Sequence, residues 1–173
     1  MKMLLTKRYL QKLIFVLSLI ASLGGCGKGT YPTGKEVMRV MTYNIHHANP
    51  PSETGKIDVE AIARVINQQK PDLVALQEVD VYTERSGKGL DQARELARLT
   101  GMKSFFMKAL DYQGGEYGIA VLSRYPFVDS TGYLLPRNVV LGGENRAVAS
   151  VTVQLPGKKR IIFASTHLDL KEG

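Results

Sequence analysis

The chain has 173 residues, enough for one domain with a real core, and 44% of them are hydrophobic, which excludes an intrinsically disordered polymer. Its one cysteine, Cys26, excludes an internal disulfide. The formal charge of +7 is concentrated at the start: Lys2, Lys7, Arg8 and Lys12 precede Cys26 with no acid among them, and setting those four aside leaves 19 basic against 16 acidic residues, or +3, too little to mark a nucleic-acid groove.

Residues 1–12 are basic, and residues 13–23 (LIFVLSLIASL) form a continuous apolar run followed by Gly24, Gly25 and Cys26. That run is short for a membrane span and has the length of a secretory core segment. Small residues ahead of a cysteine leave the backbone open to a peptidase. Residues 23–26 (LGGC) resemble a bacterial lipobox. The resemblance implies a signal peptide over 1–25 and a lipidated Cys26 as mature N-terminus, hence an exported, membrane-anchored lipoprotein of the periplasm or cell surface. A plain signal peptide with an incidental cysteine is the alternative. Acyl chains would hold the protein firmly, since each buried CH₂ contributes about 0.8 kcal/mol. Residues 26–36 are rich in Gly, Lys and Thr with a Pro, and read as a tether.

The domain is expected over 37–173. Residues 37–45 (VMRVMTYNI) have strand composition. Asp58 can cap a helix reaching about Gln69, with Val59, Ile62, Ala63 and Ile66 on one face. Pro71 and Asp72 lead into a short apolar strand, 73–79. A second helix is expected over 91–100, with Ala93, Leu96 and Ala97 inward and Gly101 as its stop. Four further strands are expected at 103–110, 117–123, 145–155 and 160–168. The last two flank Pro156-Gly157-Lys158-Lys159, a hairpin turn. Ala147, Ala149, Val151, Val153 and Leu155 share a face by alternation. Two strand–helix units followed by a meander point to an α/β fold.

Three apolar strands are each expected to end on a polar residue: Asn44, Glu78 and His167. Side chains so placed reach the rim of a sheet, where clefts form. A capping Asn, a solvated Glu or a core His is the commoner explanation of each alone; their combination carries the case.

Residues 41–44 (MTYN), 76–79 (LQEV), 117–126 (YGIAVLSRYP), 145–146 (NR) and 166–169 (THLD), in that order and spacing, resemble the endonuclease/exonuclease/phosphatase superfamily, which includes pancreatic-type deoxyribonuclease, neutral sphingomyelinase and inositol polyphosphate 5-phosphatase. The resemblance implies a two-sheet α/β sandwich with helices outside, the deoxyribonuclease-like four-layer fold, here covering its first half to two thirds. It also implies a Mg²⁺-dependent hydrolase of phosphoester bonds, with Mn²⁺ as a possible substitute. Glu78 matches the family's metal-binding glutamate and Asn44 the asparagine beside it. His167 matches a histidine that contacts the scissile phosphate, and Arg146, after Asn145, a phosphate-contacting arginine. Mg²⁺ prefers hard oxygen ligands, and a carboxylate plus substrate phosphate suits it. Arg85 either faces the cleft or sits in a solvated turn. Tyr117 either lines the substrate groove or packs. His46 and His47, read as adjacent residues on a strand, would point to opposite faces and could not easily share one metal; one of them, His47 first, is expected near the rim as a phosphate contact.

The family's Gly-Asp-x-Asn motif, a later Asp and a final Asp-His pair have no counterpart before Gly173. Those groups are expected to activate the attacking water, so this stretch alone is expected to be inactive. Residues 83–87 (TERSG), Asp91-Gln92, 96–102 (LARLTGM) and 114–126 resemble the bacterial branch near the lipid-remodelling proteins of glycosylphosphatidylinositol anchors. That implies a lipid or sugar phosphoester as substrate, with DNA or RNA as the runner-up. A lipid-anchored binding module without catalysis is the reading from a different class.

Overall fold

Asp58 and Asp91 have short carboxylates one residue ahead of apolar-periodic segments, and each caps a helix. Asp58 Oδ1 accepts from Ala61 N at 2.8 Å and starts α1 (Val59–Gln69). Asp91 Oδ1 accepts from Arg94 N at 2.9 Å and starts α2 (Gln92–Thr100). Both helices end on a left-handed residue, Lys70 and Gly101. Each buries the face expected of it: Val59, Ala63 and Ile66 from α1, Ala93, Leu96 and Ala97 from α2.

The structure, a computed structural model, describes residues 37–137, 139–140 and 142–169. The expected signal peptide, Cys26 and the tether lie outside the described residues. The described residues from Met38 on form one unit built on two sheets.

The first sheet has the order β1-β2-β4-β3, from β1 (Val40–Asn44), β2 (Leu73–Val81), β3 (Lys103–Tyr112) and β4 (Gly115–Ser123). β1 and β2 are parallel, as a helical crossover requires; the other pairs are antiparallel. The second sheet is an antiparallel meander, β5 (Phe127–Leu134), β6 (Ala147–Gln154) and β7 (Arg160–Thr166). Pro156-Gly157-Lys158 makes the expected turn between β6 and β7, with Gly157 at φ 70°.

Strand alternation divides the core in two. Val74, Leu76, Ala120 and Leu122 face the helices and pack with Ile66 and Leu96. Leu73, Ile119 and Val121 face the other way and pack on Ala147, Ala149, Val151 and Val153 of β6. β4 is buried on both faces for this reason. The layers run helices, sheet, sheet, which is the two-sheet α/β sandwich expected from sequence.

The sequence reading missed one strand and misplaced two features. β5 was not expected because its edge position leaves most of its residues exposed, so Asp129, Ser130 and Gly132 break any alternation. Glu78 does not end its strand; β2 continues to Val81 through a bulge at Glu78. His46 and His47 are not on a strand but in a 3-10 turn, His46–Ala48, beyond the end of β1.

Candidate active site

The bulge explains how Glu78 becomes available. Up to Gln77 the register with β4 is regular; it then skips Glu78 and resumes at Val79, opposite Gly118. Glu78 takes φ 58°, a left-handed value that costs a non-glycine residue about 1 kcal/mol. Without the extra residue, Val79 would turn toward the second sheet. With it, Val79 stays in the helix-side core and Glu78 is released to the rim. Gly118 marks a close approach there. A Cβ on it would lie 2.1 Å from Met107 O, and β3 carries its own register shift nearby, between Lys108 and Leu110.

Glu78 is held by its neighbour across the parallel pair. Asn44 Nδ2 donates to Glu78 Oε1 at 2.7 Å, while Asn44 Oδ1 accepts from His46 N at 2.9 Å. The amide is engaged at both ends and fixes the carboxylate and the turn together. That turn has three consecutive left-handed residues, His46, His47 and Ala48, at φ 48°, 44° and 58°. Gln92 Nε2 donates to His47 O (2.7 Å), and Asp58 N donates to Ala48 O (2.8 Å). The winding brings the two imidazoles together, with ring centroids 4.4 Å apart. Ring nitrogens of His46 and His47 and a carboxylate oxygen of Glu78 lie within 4.8 Å of one another. Burial first, and then the positive charge of Arg85, push the His47 imidazole below its ordinary value, against the opposing pull of Asp80 and Glu78.

Arg146 and His167 flank the second sheet, one residue before β6 and one after β7, both of which are shorter than expected from sequence. Ser165, two residues before His167, donates to Leu76 O at 2.9 Å and accepts from Gln77 Nε2 at 3.3 Å. Leu76 is two residues before Glu78, so this buried contact aligns the two rims. Arg146 is largely buried; its Nη2 lies 3.1 Å from Glu144 Oε2 and 3.9 Å from Asp169 Oδ1. Asn145 is half-buried beside it. His47 Nδ1, Arg146 Nε and His167 Nδ1 are buried nitrogens with no hydrogen-bond partner among the described residues.

Arg85 is not in a solvated turn. Its Nε and Nη2 donate to Asp80 Oδ2 and Oδ1 at 2.7 and 2.8 Å. Asp80 is fully buried and also accepts from Thr83 Oγ1 (2.7 Å) and Ser86 Oγ (2.6 Å). Burial alone would raise the Asp80 carboxyl, but the bonds from Arg85, Ser86 and Thr83 outweigh it and hold it below the ordinary value. The guanidinium sits over Tyr112, 4.4 Å from the ring centroid, and 5.5 Å from that of Tyr117. These three residues, with Leu110 and Glu144, line a cavity of about 210 Å³. Tyr117 therefore both lines a groove and packs. Its hydroxyl is pushed up to about 12, by burial first and then by Glu78, so it stays protonated and can donate. Sequence reasoning missed Asp80, Gln92, Tyr112 and Glu144. Asp80 had a signal: a carboxylate inside an apolar strand needs a buried cation, and Arg85 follows five residues later.

No ion is needed to explain these positions, but the donor set fits one. Glu78 offers a hard oxygen, oriented by Asn44, beside two imidazoles.

The sequence pattern described as "Endonuclease/Exonuclease/phosphatase family" matches residues 41–156. Among curated proteins none matches. Among solved structures, an endonuclease/exonuclease/phosphatase from Beutenbergia cavernae is similar at 33% identity and a TM-score of 0.61, over 76% of this chain and 38% of that one. A family protein from Leptotrichia buccalis shares 19% identity and a TM-score of 0.57, over 78% and 55%. The human Nocturnin catalytic domain, solved with a bound sulfate anion, shares 23% identity and a TM-score of 0.54, over 79% and 51%. The chain thus spans between about two fifths and just over half of these relatives. With a family match over residues 41–156 and a two-sheet sandwich similar to those of the solved relatives, this chain belongs to the endonuclease/exonuclease/phosphatase family.

Proposed function

We propose that the protein hydrolyses phosphoesters with a divalent ion, Mg²⁺ or its substitute Mn²⁺, held at Glu78 and Asn44. The observation that carries this is the set of unpartnered buried nitrogens on His47, Arg146 and His167, on elements that meet at the Glu78 rim. A buried donor without a partner costs about 1–3 kcal/mol. An anionic oxygen would satisfy such donors, and a phosphate has several. The ion, when bound, supplies charge stabilisation at the phosphoryl oxygens. Arg146 and His167 bind the remaining oxygens and fix the orientation of the ester, with Asn145 beside them. Tyr117 donates a hydroxyl hydrogen bond, and Arg85 lends positive charge to the groove wall.

The substrate favoured is a lipid or sugar phosphoester. The charge of +3 after the leader and the lipobox-like residues 23–26 support this reading, and with it export and anchoring through a lipidated Cys26. The bacterial branch near glycosylphosphatidylinositol-remodelling proteins is proposed on residues 83–87, 91–92 and 96–102.

The test is Mg²⁺-dependent turnover of phospholipids, sugar phosphates and plasmid DNA side by side, with Glu78→Gln as control. Turnover of the first two that falls at least 100-fold in Glu78→Gln supports the proposal. Efficient plasmid nicking without the others reverses the substrate ranking. Turnover insensitive to Glu78→Gln removes Glu78 from the site.

A further inference from the structure

We infer that one end of the second sheet is a membrane-facing surface, on which Tyr133, Leu134, Val139, Val140 and Leu168 enter the interface of a phospholipid bilayer. The inference rests on the phosphoester reading proposed above and deepens it, because it commits to a substrate presented from a bilayer.

The first support is placement. Ten large apolar side chains are exposed among the described residues, and five of them are these. Single exposed apolar residues are ordinary; a group at one end of a molecule is not. Leu134 pairs with Ala147 and Val148 with Thr166, so the end of β5, the start of β6 and the end of β7 lie together. Arg146 and His167 sit at that same end. Leu135 N donates to Arg146 O at 2.7 Å and closes the base of the segment between β5 and β6. Glu144 N donates to Asp169 Oδ2 at 2.7 Å and ties that segment to the residues after β7. The apolar side chains are thus carried by the same two segments as the phosphate-binding nitrogens.

The second is what those neighbours ask of an occupant. Arg146 Nε and His167 Nδ1 are buried without a hydrogen-bond partner and suit an anionic oxygen. The side chains beside them suit hydrocarbon. A phosphate joined to acyl chains meets both demands at once. The charge agrees. Residues 130–143 contain no acid and one base, Arg137, which is exposed. An acid there would resist an anionic head-group layer, whereas an arginine bonds its phosphates while its stem lies along the chains.

The third is reach. Cys26, the proposed anchor, precedes Val37 by a tether that extends at most about 40 Å at 3.3–3.6 Å per residue. β2, a nine-residue strand, is roughly 30 Å long. The tether can therefore pass the length of the sandwich and let the rim turn to the bilayer. Tethering also raises the effective concentration, so a small apolar surface suffices.

The test uses the whole chain in vesicles of phosphatidylethanolamine and phosphatidylglycerol. The chain has no tryptophan, so a single introduced one reports its own surroundings. Val140 is 90% exposed, and Val128, toward the opposite end of β5, is 44% exposed. Val140→Trp should be blue-shifted by vesicles and quenched by brominated acyl chains, and Val128→Trp should not. Leu168→Trp should behave like Val140→Trp and serves if that variant fails to fold. Replacing both Leu134 and Val140 by Ser should lower turnover of vesicle-borne phospholipid about tenfold and leave a soluble sugar phosphate unaffected. Equal quenching at positions 140 and 128, or none at 140, overturns the inference. So does a Val140→Trp blue shift without vesicles: one that grows with protein concentration assigns the surface to a second copy, and one that does not assigns it to the chain itself. If Glu78→Gln abolishes turnover while Val140→Trp stays in water, the proposed function survives and this inference fails. If Glu78→Gln leaves turnover intact, the function reading fails, and the quenching pattern still decides the surface.

Discussion

Replacing Arg85 by Leu should be among the most damaging single changes at this site, through charge rather than shape. Asp80 is fully buried and accepts four hydrogen bonds, two of them from Arg85. Arg85→Leu removes both and the only cation in contact with the carboxylate among the described residues. Breaking one partner out of a buried pair costs about 3–5 kcal/mol. Arg85 keeps 25% of its side chain exposed, so water can reach part of the vacated space, and the lower end, about 3 kcal/mol, is expected. For a domain of this size that is roughly a 10 °C fall in melting temperature. The pH dependence fixes the cause. In the parent, the Asp80 carboxyl is held below its ordinary value, so its stabilisation is complete above that value, 3.8, and is lost as pH falls through the lower folded value. In Arg85→Leu, burial is opposed only by the bonds from Ser86 and Thr83, so the same group rises relative to the parent, and the penalty is present at neutral pH and relieved on acidification. The gap between the two melting curves is therefore widest near pH 7 and narrows toward pH 4. Melts followed by circular dichroism across that range measure it. A gap under 2 °C at pH 7, or one that widens in acid, would refute the buried-pair account.

Gly118→Ala should cost several kcal/mol and disturb the Glu78 bulge, because its Cβ would meet Met107 O at 2.1 Å; denaturant melts and the loss of metal binding check it. Ser165→Ala removes the hydrogen bonds to Leu76 O and from Gln77 Nε2, so a loss of about 1–3 kcal/mol is expected, read from the unfolding midpoint. Metabolic labelling with a fatty-acid probe should mark the protein and fail on Cys26→Ser; label that survives the substitution excludes Cys26 as the anchor.

Much of the fold was legible locally. Asp58, Asp91 and Gly101 announce the helix ends because capping involves residues only three or four apart. β6 is legible because one buried face forces every second residue to be small or apolar. Asn44, Glu78 and His167 stood out as polar residues attached to apolar strands, and Arg146 came only with the family resemblance. What the chain could not disclose locally depends on partners far away in sequence. β5 is a strand only because β6 pairs with it. The bulge at Glu78 exists because Val79 must return to the helix-side core opposite Gly118, about 40 residues on. The left-handed turn of His46 and His47 is held by Gln92, 45 residues away, and no local preference favours it. Sequence alone determined which residues are polar at the ends of apolar strands; tertiary packing decided which of them share a side, because direction is set by long-range bonds rather than by neighbours in the chain.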